Sequence, residues 1–258
     1  MTMKYSSVIK LTSLLLIFTA STAIGQVSGA KHQKLIDLYV MGKFEDCLNK
    51  AAKMTENDKY RSESEPYLWM SMCLIELKDD PELFEFYPNA LKDALKYGVK
   101  FKKKDDKLKS KEEDYLFDDN KDFIYKLIEE ALTDGKSFFV QDNYSKAAYY
   151  YKTAKYLDED NKECLFMYGV VNMYNRNTKE GKIYIDDALT YFKATAEAGG
   201  YEINPKTEQA FDDSFYYYTQ YLLLKGQNSE ALKVIGIAVK LTPQNQKLIT
   251  LYKEVNAL

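Results

Sequence analysis

From residue 31 onward, apolar positions recur at intervals of three and four residues, the spacing that gathers side chains on one face of an α-helix. There is no convincing run with period two, and Gly and Pro are confined to apparent breaks. The pattern is densest in AAYYYKTAKYLDEDN, residues 147–161. Ala147, Tyr151 and Ala154 there share a helical face and predict a seam against a partner helix. The two alanines let backbones approach while Tyr151 fills the gap, Tyr150 lies beside the seam, and Tyr149 points outward. No convergent polar or metal-binding groups accompany the rings, so packing explains them and no cofactor is expected. The same logic makes Phe215 and Tyr218 seam residues in the run 215–218 and leaves Tyr216 to face a groove between hairpins.

The helical pattern repeats. Shifting the chain by 34 residues places Gly135 on Gly169, Ala147 on Gly181, Tyr151 on Ile185 and Ala154 on Ala188. Past an apparent 16-residue insertion, Ala231, Ile235 and Ala238 fall on the same pattern, with Leu222 matching Phe138. Residues 128–161 carry Gly135-x2-Phe138, Asp142-Asn143-Tyr144 and Ala147-x3-Tyr151-x2-Ala154. Residues 212–245 carry Phe215-x2-Tyr218, Gly226-Gln227-Asn228, Ala231-x3-Ile235-x2-Ala238 and a closing Pro243, while 162–195 is a weaker copy.

These motifs resemble the tetratricopeptide repeat, a helix-turn-helix of 34 residues. The chain departs from it at Ala131, Asp134 and Glu159, which stand where the repeat has Trp, Leu and Pro. The resemblance implies an all-α fold, a right-handed superhelical stack of hairpins forming an α-solenoid, with repeats over 123–245 and a capping helix over 246–258. Residues 26–97 read as degenerate helical repeats, with hairpins at 32–54 and 64–97. In the second of these, Pro88 is expected to break a helix carrying Leu83, Tyr87, Ala90 and Leu91. Residues 98–122, dense in charges of both signs, read as a charged connection or exposed helix, and 198–209, with Asn204-Pro205, as a loop.

The extreme N-terminus differs. MTMKYSSVIK precedes an apolar stretch, residues 11–25, that is too short for a membrane span and ends in Ala23-Ile24-Gly25. This is the pattern of a secretory signal peptide over residues 1–25, with a second possible cut after Ser28-Gly29-Ala30. No Cys follows it to take a lipid, so the mature protein is expected to be exported, periplasmic or secreted, without stable membrane insertion. Cleavage removes Lys4 and Lys10 and no acid, moving the net charge from −3 to −5. That balance, and only Arg61 and Arg176 among 36 basic residues, argue against a nucleic-acid partner. Cys47, Cys73 and Cys164 fit neither a zinc pattern nor a disulfide framework. They read as core residues, with a Cys47–Cys73 bridge as the alternative.

Candidate chemistry is sparse. His32 is the sole histidine and reads as a flexible surface residue. Asp118-x-Asn120-x-Asp122 with Glu129 has calcium-loop spacing, but Phe123 stands where the turn needs Gly, so helix capping is the better reading. Asp186, Asp187, Asp212 and Asp213 read as helix-turn charges; a pocket pairing them would favour an enzyme. Binding remains. The repeat geometry implied by the resemblance turns Leu132, Lys136, Phe139, Phe166, Val170, Met173, Tyr216, Gln220 and Leu223 toward a concave groove for a protein or peptide partner of the cell envelope. The alternatives are a groove filled by the chain itself, and glycan capture on a coplanar platform of Tyr149, Tyr216 and Tyr217.

Overall fold

The computed structural model describes residues 29–258; the leader expectation lies outside them. Among these residues there are eleven α-helices and no strand. They are α1 (Gln33–Val40), α2 (Phe44–Glu56), α3 (Glu65–Asp79), α4 (Ala90–Lys109), α5 (Lys121–Phe139), α6 (Tyr144–Leu157), α7 (Lys162–Tyr174), α8 (Thr178–Ala198), α9 (Glu208–Leu224), α10 (Asn228–Leu241) and α11 (Gln246–Asn256). Consecutive helices pair as five antiparallel hairpins, each leaning on the next: α2 on α3, α4 on α5 and α6, α6 on α7, α7 on α9, α8 on α10. The last helix, α11, covers α10 and α9. This is consistent with an α-helical repeat in which helices pack against near neighbours along the chain, the exception being α8 and α9, which pack on α10 and α7.

Four hairpin turns share one backbone geometry. Gly42, Asp142, Arg176 and Gly226 all have positive φ, between 56° and 71°. The residue after each donates its N–H to the carbonyl five positions back: Lys43 to Leu38, Asn143 to Phe138, Asn177 to Asn172, Gln227 to Leu222. This Schellman pattern satisfies the last carbonyls of the first helix and reverses the chain in three residues. The second hairpin lacks it. Pro88 has no N–H and cannot sit inside a helix, so α4 starts two residues later at Ala90, and 80–89 is an irregular connection with one 3-10 turn at Phe84–Phe86.

The expected boundary between residues 97 and 98 falls inside α4, and 98–109 is helix. Its lysines cover one face while Ala94, Leu95, Gly98 and Phe101 are buried on the other. Buried Asp105, 1% exposed, is a tether: it accepts from Ser64 Oγ at 2.8 Å, Leu116 N at 3.0 Å and Phe117 N at 2.8 Å. Glu65 does the same at the front of the chain, accepting from Lys31 N, His32 N and Trp69 Nε1. His32 is accordingly held rather than loose, with Nε2 2.5 Å from Glu63 Oε2. The three cysteines are buried and unbridged.

The alanine and glycine seams take the predicted form. Ala147 and Ala154 are fully buried, and Tyr151 lies against Gly135, where a methyl would come within 3.1 Å of the ring. At Gly181 a Cβ would stand 2.8 Å from the Gly169 carbonyl oxygen and 3.1 Å from Met173 N, so α7 and α8 cross backbone to backbone. Gly181→Ala is therefore expected to force the hairpin apart and cost about 1–3 kcal/mol. Thermal unfolding followed by circular dichroism should register about 2–4 °C per kcal/mol at this size.

Candidate functional site

The nine groove residues named from the repeat lie on α5, α7 and α9, the first helices of the last three hairpins, and α9 packs directly along α7. That packing buries part of the set. Phe166 and Val170 are fully buried, Leu132 is 2% exposed and Phe139 4%. Phe166 meets Phe215 edge-on at 5.0 Å, beside Tyr218 and Phe192. Phe139 lies 4.6 Å from the Tyr217 ring and 5.0 Å from Tyr174. These four are core residues: α9 folds across from hairpin five and seals the face that repeat geometry alone would open. Met173, Tyr216, Gln220 and Leu223 remain half-buried.

Lys136 is engaged as well. Its ammonium is 2.9 Å from Asp213 Oδ2, without a well-directed hydrogen bond to that oxygen, and 3.3 Å from Oδ1. Lys247 of α11 reaches the same carboxylate at 3.2 Å and lies over the Tyr216 ring at 4.5 Å. Asp213 is 2% exposed, so its charge is balanced by two ammoniums and ties α5, α9 and α11 together. The shallow cleft of about 330 Å³ at this point also holds Asp212, whose carboxyl burial pushes up and which accepts from Asn245 Nδ2 at 2.7 Å. Asp212 and Asp213 therefore meet at one cleft but are each committed to a structural partner. A second tie, Lys206 to Glu129 at 2.5 Å, fastens the 199–207 loop to α5.

Beyond this closed middle, the C-terminal ends of α5, α7 and α9 carry a patch that the sequence reading missed. Half-buried Tyr144, Tyr174, Tyr217 and Tyr221 gather around Phe139 and Tyr174. Burial pushes the Tyr174 hydroxyl up to about 12, and it donates to the Tyr217 carbonyl. A hydrogen bond to Asp142 at 2.5 Å pushes Tyr144 up to about 12. Both rings therefore stay neutral hydrogen-bond donors at physiological pH. At the rim Val140 is 60% exposed and Leu224 79%. The signal was available: Val40, Val140, Tyr174 and Leu224 each stand two residues before the positive-φ residue of their turn.

The other candidates separate. Tyr216 and Tyr217 stand at 86° to each other and Tyr149 lies on α6, so these three rings do not form one flat platform. Asp118 pairs with Lys121 and accepts from Tyr115, while Asn120 donates back to the Leu116 carbonyl rather than capping α5. No acid, His or Cys cluster able to hold a metal occurs among the described residues. No helix there is long and apolar enough to cross a membrane. Compared with known proteins, the chain matches no family model and no curated sequence.

Proposed function

We propose that this protein is an exported, non-enzymatic scaffold of the tetratricopeptide-repeat type, a right-handed superhelix of hairpins that binds a protein or peptide partner of the cell envelope. The leader pattern of residues 1–25 supports export, and four turns of one geometry support the repeat, those at Asp142 and Arg176 standing 34 residues apart and that at Gly226 following once the 16-residue insertion is allowed for. The observation that carries the binding role is the recurrence of an exposed apolar side chain at one repeat position: Val40 at 49%, Val140 at 60%, Leu224 at 79%. That position is neither a core position nor part of the Schellman contact, which joins the residues at the ends of its six-residue loop. At three of the four turns packing has no use for this position, while Tyr174 at the other is half-buried beside Phe139; exposed apolar residues at such turns make a docking edge. Phe84 and Phe86, 50% and 76% exposed, are the exposed apolar residues at the second hairpin's connection.

Tyrosines beside this edge supply rigid, amphipathic contact area of the kind that dominates binding energy at interfaces. The test is a Val140→Asp, Leu224→Asp double variant, whose exposed sites leave folding unaffected. Chemical crosslinking in the native envelope should yield a specific partner for the natural chain and lose it in the variant. Retention of the same partner would remove the role from this edge.

A further inference from the structure

The lysines of α4 form a face of their own. At 3.6 residues per turn, Lys92, Lys96, Lys100, Lys103 and Lys107 fall within a sector of about 80° and span about 22 Å of helix. All five are exposed, opposite the buried side of Leu95, Gly98 and Phe101. Among the described residues, Lys96 alone of the five pairs with an acid, Asp93 at 3.7 Å. Instead the ammoniums sit over rings: Lys96 and Lys100 over Tyr97, each at 5.3 Å, and Lys103 over Tyr156 of α6 at 5.3 Å. Burial first, then Lys107, Arg61 and Lys100, hold the neighbouring Lys104 ammonium below the usual lysine range, a sign of locally positive potential. The acids near the stripe are few: Asp93, Asp106, which pairs with Lys102, and Asp134 beside Tyr150.

At its N-terminal end the stripe meets a cleft of about 480 Å³ lined by Lys92, Phe138, Ser145, Lys146, Tyr149 and Tyr150. Phe138 and Tyr150 stack at 5.5 Å, and Tyr149, 42% exposed, stands at 84° to Tyr150, making a corner of apolar ring faces. Lys146 lies over Phe138 at 5.1 Å.

We infer that this face binds an acidic polysaccharide, with sugar carboxylates along the lysine stripe and one sugar ring seated in the aromatic corner. A row of ammoniums about one helical turn apart, four of the five without an acid partner among the described residues, suits a linear polyanion. The corner takes a ring whose C–H face lies on Tyr149, a recess that a flat bilayer does not enter. α4 carries no arginine, so anions along it meet point-charge ammoniums rather than bidentate forks. The face lies on the second helices of hairpins two and three with Phe138 of α5 at its corner, and it uses none of the exposed residues of the docking edge, so this inference stands apart from it.

The probe is an oligogalacturonate long enough to span the stripe, titrated by calorimetry into the full-length protein, beside its fully methyl-esterified form. The acid form should bind, weaken as salt rises, and bind about tenfold or more weakly to a Lys96→Glu, Lys100→Glu, Lys103→Glu variant; the ester should not bind. Tyr149→Ala should weaken binding without changing the salt dependence. If the triple variant loses helical signal, Lys100→Gln with Lys103→Gln removes charge alone and carries the same expectation. Absence of binding to the acid form, or equal binding by the charge variants, overturns the inference. Tighter binding to phosphatidylglycerol vesicles or to an oligodeoxynucleotide than to the glycan overturns its glycan assignment.

Discussion

Phe166→Ala is expected to destabilise the fold by about 3–5 kcal/mol, lowering the thermal midpoint by roughly 6–20 °C. Repeat geometry turns Phe166 toward a groove, yet it is fully buried, edge-on to Phe215 at 5.0 Å with Phe192 at 6.1 Å. Truncation opens a ring-sized cavity between α7, α8 and α9, and close-packed helices relax into it only in part. Urea unfolding of the variant beside Gln220→Ala separates the two kinds of position. Gln220 lies half-buried on α9, and its truncation should stay within about 0.5 kcal/mol. A Phe166→Ala protein with unchanged stability would mean that α9 does not close over α7.

Asp105→Ala should cost a similar amount, about 3–5 kcal/mol, for a different reason. The carboxylate is the sole described acceptor for the Ser64 hydroxyl and the Leu116 N–H and binds the Phe117 N–H, and all four groups lie at the base of the 110–117 connection. An alanine leaves the buried Ser64 hydroxyl and Leu116 N–H without this acceptor and takes one from the part-buried Phe117 N–H. Proteolysis should then cut within 110–115 before other segments, and the Leu116 and Phe117 amides should exchange faster. Asp105→Asn keeps one acceptor oxygen and should lose about half as much. If the asparagine and alanine variants behave alike, the network does not depend on the charge.

These two residues show where sequence reasoning reached and where it stopped. The hairpins, their seams at Ala147, Tyr151 and Ala154, and the terminal cover α11 follow from three- and four-residue spacing, because a helix buries whatever falls on one side of it. The α4 helix was obscured by its lysines: with eight in twenty residues, its second half read as a charged connection or exposed helix, although Ala94, Leu95, Gly98 and Phe101 kept the helical period. The shared position of Val140 and Leu224 was equally present in the 34-residue alignment, but exposure is not a property that spacing expresses.

By itself the sequence determined that the chain is a series of helical hairpins, where each turns, and which side of each helix is apolar, because these depend on neighbours three or four residues away. Tertiary structure alone decided which apolar sides stay open. Phe166 is buried by a ring 49 positions later in the chain, Lys136 is held by Asp213 through an ion pair 77 positions long, and Lys103 is left facing solvent over Tyr156. Burial of a repeat's face is set by how closely the following hairpins fold back, and that closeness depends on crossings such as the one at Gly169 and Gly181, which no local pattern encodes.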